Sequence, residues 1–130
     1  MASPKSLAAD GQKSNDQRVR DYVAAYNQRN IDTMLRRVTE DIQWLSMAGD
    51  KITVETQGKP KLRESMAAYF KTSPTAKSEL EWVQATAARV AAREKASWQG
   101  KSGSKSQSSL SVYEFRGGLI SRVYYYSAEK

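Results

Sequence analysis

A chain of 130 residues with 39% hydrophobic residues, three Trp, seven Tyr and two Phe can bury a core of its own, so it reads as one folded domain. It holds neither Cys nor His, which excludes disulfides, thiol and imidazole catalysis, and the usual zinc ligand sets. The net charge of +7 comes from 21 basic against 14 acidic residues, but the cations are scattered, with no run longer than Arg36-Arg37. Neither a nucleic-acid partner nor a membrane surface is therefore expected.

Residues 1–15 mix Ser, Ala, Gly and Pro with Lys5 and Lys13 and contain no apolar run. They are expected to form a disordered arm ahead of a single domain over residues 16–130. The arm lacks the apolar stretch of a secretory signal, and the absence of cysteine fits a reducing compartment. A cytoplasmic location is the expectation, with the periplasm left open. No apolar stretch approaches the roughly 18 residues of a membrane span.

Over residues 16–29, Val19, Tyr22, Val23 and Tyr26 recur at helical spacing and predict an amphipathic helix. Asn30 sits at a cap-like position, and Met34, Leu35 and Val38 predict a short second helix ending near Glu40. Residues 41–47 predict a strand in which Ile42, Trp44 and Ser46 share a face, running into a turn at Ala48-Gly49-Asp50. Asp50 and Glu55 fall in a polar loop and do not make a metal site, because hard cations need several converging oxygens.

After Gly58 and Pro60, Leu62, Met66, Tyr69 and Phe70 mark a third helix that Pro74 stops. Residues 79–98 have helical composition, but the end of the chain argues otherwise. Residues 108–116 and 119–127 are rich in Val, Ile, Tyr and Phe and flank Gly117-Gly118, a hairpin signal. An isolated hairpin needs more strands beside it, so residues 80–87 and 90–100 are assigned to the same sheet, with residues 101–107 as a flexible loop.

This order of elements resembles the nuclear transport factor two-like superfamily, with its SnoaL-like and ketosteroid-isomerase-like branches. Residues 19–34, the Thr39-Glu-Asp-Ile-Gln-Trp44 segment, Gly58 ahead of a helix, and the closing hairpin Val112–Tyr126 carry the resemblance. It implies an α+β fold: three N-terminal helices packed on a curved, mainly antiparallel sheet, a cone-shaped cystatin-like roll enclosing a pocket. It also implies that the convex face commonly makes a homodimer.

The family's enzymes supply a template for candidate chemistry. By resemblance, Tyr22 falls on the position of the oxyanion-binding Tyr, whereas the three acid positions read Ser46, Ser111 and Tyr125. Serine without an activating partner is no general base, so the isomerase mechanism is not expected. One carboxylate stands out from the residues alone. On strand alternation Glu94 shares a face with Ala92, Ala96 and Trp98. There it would be an inward carboxylate suited to proton transfer; a shift of one residue would instead turn it to solvent beside Arg93 or Lys95.

Tyr22, Tyr26, Trp44, Ser46, Trp98, Ser111, Tyr113 and Tyr125 are the candidate pocket residues, with Tyr22 and Glu94 as candidate catalytic groups. Core packing is the competing role for each aromatic. The expected activity is binding of a small apolar or aromatic molecule without a cofactor or metal. An isomerase-, cyclase- or hydrolase-like enzyme and a protein-interaction module remain open as alternatives.

Overall fold

The computed structural model describes residues 13–129. The first twelve residues of the expected arm lie outside them, while residues 13–15 belong to the domain. Ser14 caps helix α1 (Asn15–Asn27), accepting from the Gln17 amide, and Lys13 pairs with Asp21 at 2.8 Å. Helix α1 buries Val19, Tyr22, Val23 and Ala25, which is the stripe its helical period requires.

Helix α2 (Ile31–Arg36) is capped by Asn30 and ends before Val38. Val38 does not extend this helix. It opens strand β1 (Val38–Ala48), fully buried and aligned with Ile120, because a β-branched pair, Val38-Thr39, gains more from sheet packing than from a helix end.

The segment expected as a polar loop is strand β2 (Lys51–Gln57), joined to β1 through Gly49. It is an edge strand with Ile52 and Val54 exposed and only Thr56 buried, so it carries almost no inward apolar pattern. Helix α3 (Lys59–Thr72) follows Gly58, whose φ of 88° favours glycine and whose amide donates to the Ile42 carbonyl at 2.7 Å. That bond ties the start of the helix to β1.

Strands β3 (Lys77–Ala85), β4 (Arg89–Gly100), β5 (Gly103–Arg116) and β6 (Leu119–Tyr126) complete a curved, open sheet in the order β2-β1-β6-β5-β4-β3. All neighbours are antiparallel except β1 and β6. The expected loop at 101–107 shrinks to a turn at Lys101-Ser102. Residues from Gly103 onward pair with β4, from Gly100↔Gly103 through Ala96↔Gln107. This extension of the hairpin is exposed, so its Ser and Lys residues read as loop although their backbone is strand.

Irregular register at Trp44/Leu45, Leu80/Trp82 and Glu114/Phe115 bends the strands. The helices lie on the concave side, where Val19, Tyr22, Met34, Leu62 and Met66 meet Ile42, Val90, Ala92, Tyr113, Ile120 and Val123 in one core.

Candidate functional site

The concave face of β4 carries Ala92, Glu94 and Ala96, because side chains alternate across a strand. Beside it lie Ser78 and Leu80 on β3, Ser109, Ser111 and Tyr113 on β5, and Val123 and Tyr125 on β6. Small residues dominate the β4–β5 part of this surface. Helix α1 spans them and leaves a cavity of about 220 Å³.

Half of the cavity wall is aromatic: Tyr22 and Tyr26 from α1, Tyr69 from α3, Trp44 from β1, and Tyr113 and Tyr125 from the sheet. Tyr22 meets Tyr113 edge to face at 6.4 Å, and Trp44 meets Tyr125 in the same way at 5.6 Å. Such pairs hold the rings in place with little rotational freedom. Tyr26 packs on Phe70 at 5.4 Å, and the Arg29 guanidinium lies 4.9 Å from the Phe70 ring and 6.0 Å from that of Tyr26.

Glu94 is the acidic residue of this wall. Ser78 Oγ donates to its Oε1 at 3.0 Å, Ser111 Oγ donates to Oε2 at 2.5 Å, and the Tyr113 hydroxyl donates to the same Oε2. Ser78 is placed there by Asn27 at the end of α1. The Asn27 amide donates to the Ser78 carbonyl at 2.8 Å and accepts from the Ser78 amide at 2.9 Å.

Tyr22 Oη and Trp44 Nε1 are both buried; the indole lies close enough to the phenol to influence it, but neither atom makes a hydrogen bond of full geometry. Burial pushes the Tyr22 phenol far above its ordinary range, and the nearby Glu94 charge adds to this, outweighing the opposing influence of the Trp44 indole. Burial and then the Glu94 charge likewise raise Tyr113 and Tyr125. All three phenols therefore keep their protons well above neutral pH.

Tyr22, Tyr26, Trp44, Tyr113, Tyr125 and Glu94 thus meet at one cavity, while three candidate residues lie elsewhere. Ser111 is fully buried beneath Glu94 and acts on the carboxylate, not on the open space. Ser46 sits on β1 between Thr53 and Tyr125, outside the cavity wall. Trp98 shares the concave face but lies too far along β4, lining a second, more polar hollow with Pro74, Gln99 and Gln107.

Ser78, Tyr69, Lys77, Met66 and Ala96 also line the cavity, beyond the candidate pocket residues. Tyr69 and Met66 were legible as the stripe of α3, but Ser78 depends on Asn27, 51 positions away. Among the described residues no group of three carboxylates could hold a metal ion, and no helix is long and apolar enough to cross a membrane.

Three helices on a bent open sheet around such a cavity define a cystatin-like α+β roll of the nuclear transport factor two-like superfamily. Residues 19–123 match the model of the SnoaL-like domain, and the chain belongs to that family. An uncharacterized cystatin-fold protein from Novosphingobium aromaticivorans is 27% identical, with a TM-score of 0.75 over 87% of this chain and 97% of that one. A putative polyketide cyclase from Xanthomonas campestris shares the fold at 20% identity and a TM-score of 0.64, over 88% and 93% of the two chains. TerC, co-crystallized with polyporic acid, shares it at 14% identity and a TM-score of 0.71, over 85% and 88%. No curated protein matches the chain.

Proposed function

We propose that the chain binds a small, mostly apolar molecule in the internal cavity and holds it through an oxygen that accepts from Tyr22 Oη or Trp44 Nε1. The observation that carries this reading is the aromatic-lined cavity itself, beside which Tyr22 Oη and Trp44 Nε1 are buried with no hydrogen bond of full geometry. An unmet buried donor costs about 1–3 kcal/mol, which an acceptor on an occupant would recover. A cavity near 150 Å³ accepts benzene, so the 220 Å³ here suits one substituted ring or a small bicycle. The likeness of fold to a protein co-crystallized with polyporic acid agrees with a small-molecule role.

Calorimetric titration with single-ring ketones and phenols tests this reading. Saturable binding that Trp44→Phe weakens supports it; no heat from any of them contradicts it.

A second reading, proton-transfer catalysis, is favoured by the placement of Glu94 in the same wall as Tyr22. Glu94 would take a proton while Tyr22 donates to the oxyanion that forms. Binding ranks first because Ser78, Ser111 and Tyr113 already occupy most of the carboxylate. The same proposal includes a homodimer through the convex face, where Trp82 is 48% and Tyr126 39% exposed.

A further inference from the structure

Glu94 presents an unusual balance of charge. It is a half-buried carboxylate in a wall of Tyr and Trp rings, and no Lys or Arg forms an ion pair with it among the described residues. Its own partners are the neutral hydroxyls of Ser78, Ser111 and Tyr113. A carboxylate offers about four lone-pair positions. Oε2 uses two of them and Oε1 one, which leaves one acceptor position, on Oε1.

The cations nearest the cavity are committed elsewhere. Lys77 lines the wall, but its Nζ donates to the Asn27 carbonyl at 3.0 Å on the exposed side. Arg29 donates to the Pro74 carbonyl at 2.5 Å and lies over the Phe70 ring. Aromatic faces carry negative potential and attract cations, most strongly where water is excluded. One carboxylate position left open inside a ring-lined cavity therefore selects for positive charge and an N–H donor together. The overall charge of +7 does not oppose this strongly, because exposed charges are screened beyond about 8 Å at physiological ionic strength.

We infer that the cavity recognises an organic ammonium ion, an amine carried on a single ring or short apolar skeleton, with its N–H directed at Glu94 Oε1 and its body among Tyr22, Tyr26, Trp44 and Tyr125. This deepens the proposed binding role and rests on it. The Tyr22 and Trp44 donors would hold an oxygen at the other end of the same molecule, so an amine that also bears a carbonyl or hydroxyl group fits best. A single carboxylate is too few oxygens for a metal ion, which leaves an organic cation as the positive species of matching chemistry.

The test compares three probes of one skeleton by calorimetric titration of the whole chain: phenethylamine, phenethyl alcohol and phenylpropionate. The ammonium compound is expected to bind about tenfold or more tightly than the alcohol, since it adds attraction between opposite charges to the hydrogen bond that both can make to the carboxylate, and the carboxylate probe should bind least. Glu94→Gln should erase the preference of amine over alcohol, read as the ratio of the two affinities within the variant. Ser78→Ala frees the partner of Oε1 and should retain the preference.

Equal binding of amine and alcohol by the unaltered protein would overturn the inference and leave the cavity reading intact. Binding by none of the three probes would overturn both. The comparison among probes on the unaltered chain decides the matter even if Glu94→Gln does not fold.

Discussion

Tyr113 donates its phenolic proton to Glu94 across the β4–β5 pair, so a fully buried ring on one strand fixes the direction of a carboxylate on the next. Ser111, on the same face of β5, donates to the same oxygen. Replacing Tyr113 by Phe keeps the ring but strips this donor from a half-buried charge. Chemical denaturation should show a loss of about 1–3 kcal/mol, the cost of an under-satisfied buried group. A loss below the error of the measurement would mean that Glu94 finds other partners.

Tyr22→Phe separates binding from catalysis. If Tyr22 supports an occupant, the change should weaken binding by about 0.5–1.5 kcal/mol, the net worth of a neutral hydrogen bond. If Tyr22 steadies an oxyanion, turnover on a true substrate should fall on the order of 100-fold or more. The mild outcome is expected, because the ketosteroid-isomerase-like acid positions carry Ser46 and Ser111.

Asn27 joins the end of α1 to the start of β3 with two hydrogen bonds. Asn27→Ala should lower stability by about 1–3 kcal/mol. It should also loosen Ser78, so ligand affinity should fall more than in an equally destabilised variant remote from the cavity. Paired denaturation and titration measurements check this, and an affinity unchanged beside a large stability loss would refute the positioning role.

The buried phenols give the fold an alkaline limit. In the unfolded chain tyrosine ionises near its ordinary pKa of 10.0, whereas in the folded chain Tyr22, Tyr113 and Tyr125 hold their protons to higher pH. Above pH 10 the unfolded state therefore binds fewer protons than the native state, and stability falls as pH rises. Tyrosinate absorbance should grow in two stages, with the second coincident with loss of near-ultraviolet dichroism. A single early stage, completed with the fold intact, would show these hydroxyls to be open to solvent.

The wall of the site was legible where a local period carries it. Tyr22 and Tyr26 follow from the helical stripe of α1, and Trp44, Tyr113 and Tyr125 from alternation on their strands. The inward face of β4 was legible from Ala92, Glu94 and Ala96 together. Ser111 was singled out as a replaced acid, yet its place beneath Glu94 is a contact between strands that no local pattern encodes. Strand β2 was missed although Ile52, Val54 and Thr56 alternate with more polar residues, because Gly49-Asp50 and Gln57-Gly58 on either side read as loop; the start of β5 was missed because an exposed hairpin extension tolerates Ser and Lys. Trp98 was placed on the correct face, but the distance along the strand, not the parity, decides which hollow it meets.

The convex face should pair with a second copy. Light scattering is expected to give about twice the 14.6 kDa chain mass at tens of micromolar, with the exposed Trp82 and Tyr126 covered in the interface. A monomer at that concentration would remove the dimer from the account.

The central claim is that the aromatic cavity holds a small molecule through Tyr22 Oη or Trp44 Nε1. A high-resolution crystal structure of the protein soaked with a small phenolic amine tests it most directly. The account predicts ligand density bounded by Tyr22, Trp44, Tyr113 and Tyr125, with an oxygen about 2.7–3.2 Å from Tyr22 Oη or Trp44 Nε1 and the amine beside Glu94. A cavity that stays closed, with Tyr22 and Trp44 bonded to each other and density only at the surface, would contradict it.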